Sequence, residues 1–303
     1  MSAAKFASVD EKEPRELDEK ELIERAGGPV TRGRLVRDLR ELGVGPGDTV
    51  MVHTRMSAVG YVVGGTRTLI GALLDTVGDT GTLMASCGWN DAPPYDLADW
   101  PPQWREAARA EWPAYDPRLS EADHSVGRVP EALRHWPGAV RSRHPDASFV
   151  AVGPAAHRLM DDHPWDDPHG PDSPLGRLVR DGGRVLLLGA PLDTLTLLHH
   201  AEALAEAPGK RYVEYEQPIM VDGRRVWRRF RDVDTETEAF PYGKVVPEGT
   251  WPFTVIAEEM LAAGIGRTGR VGAAVSHLFE APDVVRFGVE WIESRLGGAA
   301  DGS

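Results

Sequence analysis

Four short, almost wholly apolar runs set the frame of this chain: TVMVH (49–53), GTLMAS (81–86), SFVAVG (148–153) and RVLLLGA (184–190). A strand wetted on one face alternates apolar and polar residues, whereas a strand apolar throughout needs cover on both faces. The cover is at hand in helical patterns between the runs. In TRGRLVRDLRELG, Thr31 reads as an N-cap and Leu35, Leu39 and Leu42 share one face. Gly43 and the turn Pro46–Asp48 stop that helix, and GGTRTLIGALLDTVG supplies another after the first strand. Helices alternating with strands predict an α/β layer fold, a mixed sheet flanked by helices.

Other segments depart from the alternation. YVEYEQPIMVDGRRVWRRFRDV reads as a β-hairpin insertion turning at Asp222-Gly223. TVIAEEMLAAG and VVRFGVEWIESRL read as late helices. Residues 88–118, and the proline-rich stretch between SFVAVG and RVLLLGA, read as long loops, which in a compact domain are usually functional. Residues 1–28 read as a flexible acidic arm, helical at EPRELDEKELIERA. One domain over 29–298 and a disordered tail over 299–303 complete the expected organisation.

The 303 residues are 41% hydrophobic and 27% charged, the profile of a globular protein. No apolar run approaches the ~20 residues that span a bilayer, and the N-terminus lacks a signal-peptide core. A cytoplasmic protein with no membrane partner is expected. The single cysteine, Cys87, excludes an internal disulfide framework and a multi-cysteine zinc site. A formal net charge of −13 disfavours a nucleic-acid partner and suits a cationic ligand.

Chemistry concentrates in GAPLDTLTLLHHAE (189–202), just past the RVLLL strand. Asp193 or Thr194 can N-cap the helix that follows, at the sheet edge where open α/β folds bind ligands. At about 3.6 residues per turn, Thr196, His199 and Glu202 fall on one side and His200 on another. Three readings remain open on these residues alone. His199 and Glu202 have spacing usable for a metal, with the other ligands still to be found. They can be a satisfied polar patch of a buried helix. Or His199 is a general base, which needs a carboxylate to hold its tautomer. Cys87, also at a strand end, is either a nucleophile or a small core residue. RELGVG (40–45) imitates the pyrophosphate loop of GCN5-like acetyltransferases. Here, however, a helix precedes it and a strand follows, so C-capping explains its glycines.

The same 14-residue segment resembles the signature of the aminoglycoside 3-N-acetyltransferases, through Gly189, Asp193, Thr196, Leu198, His199, Ala201 and Glu202. GVGPGDTVMVHTRMSAVG, CGWND, the YDP at 115–117, RSRHPDASFVAVG, SPLGRL, PGKR and GRVGAAVSHLF…VVRFGVEWIESR extend the similarity over residues 30–296, nearest to members acting on gentamicin-type drugs. The resemblance implies the antibiotic N-acetyltransferase fold, unrelated to the GCN5-like one. It also implies direct transfer of acetyl from acetyl-CoA to the 3-amine of a 2-deoxystreptamine ring, without metal. His199 is the implied base, paired with a hairpin carboxylate that aligns with Asp232, with Asp234 as competitor. His53, Thr54, Arg55, Met56, Ser57 and Val59 are implied to lie along acetyl-CoA. Hydroxyl or backbone groups near Thr54, Ser57 or Thr196 are expected to stabilise the tetrahedral intermediate. For the polycationic drug, Trp89, Asn90, Asp91, Tyr95, Asp116 and Glu202 are the expected contacts, with Asp96, Asp99 and Glu121 nearby. The chain is expected to act as a monomer or homodimer. A metal-dependent amide hydrolase, or a same-fold transferase for another amine, are the alternatives.

Overall fold

The structure, a computed structural model, describes residues 18–235 and 237–297. Its sheet strands are β1 (Thr49–Thr54), β2 (Thr82–Ser86), β3 (Val140–Arg141), β4 (Phe149–Val152), β5 (Arg184–Leu188), β8 (Arg267–Val271) and β9 (Ala274–Glu280); β6 (Tyr212–Val221) and β7 (Arg224–Val233) pair separately. The spatial order of the seven-stranded sheet is β3-β4-β2-β1-β5-β9-β8. β1 runs parallel to β2 and β5, while β3, β4, β8 and β9 pair antiparallel at the flanks. The four apolar runs are β1, β2, β4 and β5, the middle of the sheet, as their composition requires.

Side-chain alternation splits the core in two. Met51, Met84, Phe149, Ala151, Val185 and Leu187 point to one face. Val50, Val52, Leu83, Ala85, Val150, Leu186 and Leu188 point to the other. The first face is covered by the helices Leu197–Leu204, Pro252–Ala262 and Ala281–Gly297; the second by Arg32–Leu42 and Gly65–Val77. Gly288 lets the C-terminal helix approach closely, since a Cβ there would lie 2.8 Å from Ala201 and 2.9 Å from Leu198.

β1 connects onward to β2 on one side and lies beside β5 on the other. The carboxyl ends of β1 and β5 therefore mark a topological switch point, the place where open α/β sheets bind ligands. The Arg55 N–H donates to the Leu188 carbonyl at 3.1 Å and ties the two exits together. Gly189, the next residue, has φ 66, and a Cβ there would stand 2.7 Å from Ala58 and 2.9 Å from Ala274.

The hairpin turns at Asp222 (φ 47) and Gly223 (φ 74), the paired positive angles of a type I′ turn. The helix before RELGVG ends at Gly43, a left-handed C-cap (φ 116), and no strand-to-helix glycine loop exists there.

Several expectations change. The 88–118 segment holds a 3-10 turn at Tyr95–Asp99 and a helix at Pro102–Glu111. That helix buries no residue fully, so it lacks the apolar stripe by which helices are read, although Pro102 marks its first turn. Within the expected arm, Glu19–Arg25 is a helix closed by an Asp18–Glu21 capping box. It is docked, not free: the Arg25 guanidinium donates to the carbonyls of Ser57 and, at 3.0 Å, Ala58. The rest of the arm, residues 1–17, and the expected tail, 299–303, lie outside the described residues. β3, β8 and β9 were not anticipated as strands. β3 has two residues, β8 is an edge strand exposed or half-buried except at Val271, and β9 beside it mixes buried and exposed positions.

Candidate active site

The motif helix starts later than expected. Leu192–Thr194 is a 3-10 turn, Thr196 is the N-cap of Leu197–Leu204, and Thr196 makes no side-chain capping bond. The i, i+3 spacing then works as the helical geometry dictates. His199 Nδ1–H donates to Glu202 Oε2 at 2.8 Å, and the Tyr242 hydroxyl donates to Glu202 Oε1 at 2.8 Å. A carboxylate only accepts, so the proton sits on Nδ1 of His199 and Nε2 keeps its lone pair. Glu202 is buried, while the His199 side chain is 24% exposed. The Phe253 ring meets the imidazole edge-on at 4.8 Å. Burial and the Glu202 carboxylate push the Tyr242 phenol far above its ordinary range, so it remains a donor.

Asp232 does not reach His199. Its Oδ2 accepts Nδ1–H of His169 at 2.9 Å and its Oδ1 accepts the Val233 N–H at 2.7 Å. The carboxylate at the end of β7 is thus occupied, and Glu202, one helical turn from His199, fills the place expected for it. Asp234 accepts the Thr237 N–H at 2.9 Å and closes a turn. His200, facing away from His199, donates from Nδ1 to the His169 carbonyl at 2.6 Å. His169 lies in the proline-rich loop, its ring centroid 5.4 Å from that of His199. Sequence reasoning missed it, because a lone histidine in DDPHGP carries no local mark of function.

Two more loop histidines are structural. His144 Nδ1 accepts the Ala147 N–H at 3.0 Å, so its Nε2–H donates to the Trp165 carbonyl at 3.2 Å. His163 Nε2–H donates to the Pro168 carbonyl at 2.8 Å and its Nδ1 accepts the Ser142 hydroxyl at 3.1 Å. Burial holds both rings neutral, His163 down to about 3.

Most of the residues implied for acetyl-CoA line the exit of β1. Arg55 and Ser57 are exposed, and Met56 and Ala58 are half-buried. Val59 is the exception: its side chain is wholly buried in the second core and its carbonyl accepts the Ala273 N–H at 2.9 Å. Its apolar side chain packs where no ligand reaches. Among the described residues, the buried atoms His53 Nε2, Thr54 Oγ1 and Asp193 Oδ1 lack a hydrogen-bond partner. Native proteins rarely leave such atoms unsatisfied. His53 and Thr54 close β1, and Asp193 lies in the turn Leu192–Thr194 that follows β5, so unused hydrogen-bonding capacity remains beside these strand exits. By strand parity His53 follows Met51 onto the face that carries the motif helix. Burial lowers His53 to about 4.

The residues implied for the drug are more scattered. Trp89 is buried and tilted against Tyr115 at 5.5 Å, so it supports the loop and offers no open face. Tyr95 stacks on Tyr215 at 4.3 Å and donates to Asp146 at 2.8 Å, so both its face and its hydroxyl are engaged. Asn90 donates to Asp91 at 3.0 Å and accepts the His124 N–H at 3.3 Å. Asp91 is exposed, and Asp116 accepts the Arg118 N–H at 2.7 Å within a turn. Asp146 was overlooked; it accepts from Tyr95, from Tyr215 at 3.3 Å and from Gln217 at 3.4 Å. Cys87 is fully buried in the second core and burial pushes its thiol up, which removes it as a nucleophile.

Among the described residues no three His, Cys, Asp or Glu side chains converge where a metal ion could be held. His199 and Glu202 bond each other and present no joint coordination site. No helix among them is long and apolar enough to cross a membrane.

Known proteins with this sequence pattern and fold bear on the site. The family model described as aminoglycoside 3-N-acetyltransferase matches residues 51–293. Aminoglycoside N(3)-acetyltransferase VIII of Streptomyces fradiae is 83% identical over 287 residues, 95% of this chain and 100% of that one. The crystal structure of aminoglycoside acetyltransferase AAC(3)-Xa superposes with a TM-score of 0.91 at 68% identity, covering 92% of this chain and 98% of that one. A structure of AAC-IIIb described as binary with CoASH gives a TM-score of 0.81 at 44% identity, covering 89% and 98%.

Proposed function

The chain belongs to the aminoglycoside 3-N-acetyltransferase family, and on that premise we propose that it transfers acetyl from acetyl-CoA to the 3-amine of a 2-deoxystreptamine ring, with His199 as general base. The carrying observation is the hydrogen-bonded chain Tyr242–Glu202–His199, whose last two members lie on the helix that follows β5. An ammonium cannot attack a thioester until it loses a proton. That first proton goes to solvent; as the amine then attacks, Nε2 of His199 takes the second proton from the same nitrogen, and the imidazolium so formed stays bonded to Glu202 through Nδ1. Tyr242 keeps Glu202 charged and aimed by donating to its second oxygen. As the amine nitrogen bonds to the acetyl carbon, the carbonyl oxygen gains charge. The Thr54 hydroxyl and the backbone around Ser57 stand at the strand end suited to meet it. The C–S bond then breaks, and His199 returns its proton to the departing sulfur. No acyl-enzyme is required, and Cys87 has no part.

The edge formed by His53, Thr54, Arg55, Met56 and Ser57 is the candidate seat of acetyl-CoA, supported by the buried polar atoms of His53 and Thr54 that have no protein partner. The aminoglycoside, a polycation, is received by the net negative chain. Asp91, Asn90 and Asp116 are the candidates for its outer ammoniums. Acetyl-CoA belongs to the cell interior, and the reading places the enzyme there, as a monomer or homodimer that light scattering distinguishes. The test follows thiol release on mixing protein, acetyl-CoA and a panel of deoxystreptamine drugs. His199→Ala is expected to lose about 10²–10⁴-fold in kcat/KM while folding normally. No thiol release with any drug, or near-full rates in His199→Ala, defeats the reading.

A further inference from the structure

His169 is anchored twice. Its side chain is held by Asp232 at 2.9 Å, with side-chain exposures of 7% and 2% for the pair. Its backbone carbonyl is held by His200, on the same helix as His199, at 2.6 Å. These two bonds fix the His169 ring relative to the His199 ring, 5.4 Å away and inclined by 47°. Two histidine–carboxylate pairs, His199–Glu202 and His169–Asp232, therefore stand side by side, one with a partly exposed imidazole and one sealed.

We propose that His169 is a positioning residue that, gripped by Asp232, sets a fixed positive charge beside His199 and so governs how readily His199 gives up the proton it has taken. This rests on the assignment of His199 as the base. The reaction needs a ring that accepts a proton from the amine and then releases it to sulfur. A neighbouring cation favours the release, and Glu202 on the opposite nitrogen favours the uptake. Asp232 supplies the countercharge that lets a sealed imidazole remain protonated, its attraction outweighing the penalty of burial. The groups facing His169 are Asp232 from β7; His199, His200 and Glu202 from the motif helix; His144 and Asp146 from the segment between β3 and β4; and His163 and Asp167 from its own loop. The three anions named by their influence on the ring, Asp232, Asp146 and Glu202, all act to keep it charged.

The test substitutes His169→Asn, whose amide N–H occupies the position of Nδ1–H and keeps the bond to Asp232 without carrying charge. Histidine-selective NMR of the whole protein, with the His199 signal assigned by its loss in His199→Gln, reads the titration midpoint of that ring. Removal of a unit charge about 5 Å away raises the midpoint by about one to two pH units for an effective dielectric of ~40 to ~20. A parallel rise in the acid limb of kcat/KM is expected. Asp232→Asn, which leaves His169 neutral, shifts the midpoint in the same direction by less. A purely structural role predicts that His169→Asn restores wild-type behaviour. An unmoved or lowered midpoint in His169→Asn overturns the proposal. Should that variant not fold, an unmoved or lowered midpoint in Asp232→Asn does so. Failure of the base assignment shows separately, as activity surviving in His199→Ala.

Discussion

Acidification should destabilise this protein to an extent set by imidazoles that cannot accept a proton in place. His144 and His163 have both ring nitrogens committed, one accepting from Ala147 N–H or the Ser142 hydroxyl, the other donating to a carbonyl. Burial takes both below the usual range, and takes His53 to about 4 and His163 to about 3. In the unfolded chain each titrates near 6.5. Between those limits the native state binds fewer protons than the unfolded one, so the stabilisation is complete above about pH 6.5 and is lost as pH falls toward the native values. Each such group contributes about 1.2 kcal/mol between pH 6 and 5, from the 1.36 kcal/mol per unit limit and partial protonation of the unfolded chain. His53 and His163 together give about 2.4 kcal/mol, to which His144, lowered by burial, adds in the same sense; this is a large part of a typical stability of about 5–15 kcal/mol. His169 has the opposite sign. Its folded value is raised, so its contribution is complete below the unfolded value of 6.5 and is lost only as pH rises through the higher folded value. Carboxylates titrate near 4 when unfolded; Asp146 and Asp167, raised in the folded state by burial, act in the sense opposite to the lowered histidines, their cost easing as pH falls. The assay is urea unfolding at pH 7, 6 and 5 with m values compared. His163→Gln, which keeps the donor to Pro168 but does not titrate, should remove about a third of the slope. A fall below about 1 kcal/mol from pH 6 to 5 at constant m refutes the reasoning.

Four further outcomes are expected. Tyr242→Phe should cost about 2 kcal/mol in urea unfolding, the worth of a hydrogen bond to a charged group, and should lower kcat by loosening Glu202. Glu202→Gln should cut kcat/KM by at least about tenfold at neutral pH, measured by thiol release, with an unchanged circular dichroism spectrum. Gly189→Ala forces a Cβ into Ala58 and Ala274 at a left-handed φ, and should destabilise by about 1–3 kcal/mol. Cys87 should resist aromatic disulfide reagents in the native protein and react on unfolding, so that such a reagent reports CoA thiol alone.

The central strands were legible because full burial leaves an unbroken apolar run, and His199 and Glu202 because helical spacing is local. The hairpin was legible through Asp222-Gly223. Long-range pairings were not. Nothing in the sequence distinguishes Glu202 from Asp232 as the partner of His199; that choice is made by where β7 ends and by His169 standing in between. Tyr242, forty residues beyond Glu202, enters through packing of the first core. The same holds for Trp89 and Tyr95. Their aromatic character suits a sugar ring, but Tyr115 and Tyr215 claim those faces. The helix Pro102–Glu111 was missed because it has no fully buried face, and β9 because a partly alternating strand after a Gly272-Ala273 turn carries little signal.

The sheet acts as a bulkhead between two separately packed interiors. The proton-handling helix is seated in one, with Leu198, Ala201 and Ile292; the turn after β1, which would face the acyl donor, is seated in the other, with Val59, Leu69 and Leu73. Damage to one compartment should therefore disturb one half of the chemistry while sparing the other. Trimmed core residues on opposite sides, such as Ile292→Val and Leu73→Ala, should have effects on turnover that add. The two sides can then drift independently, and variation in donor handling need not carry a cost in proton transfer.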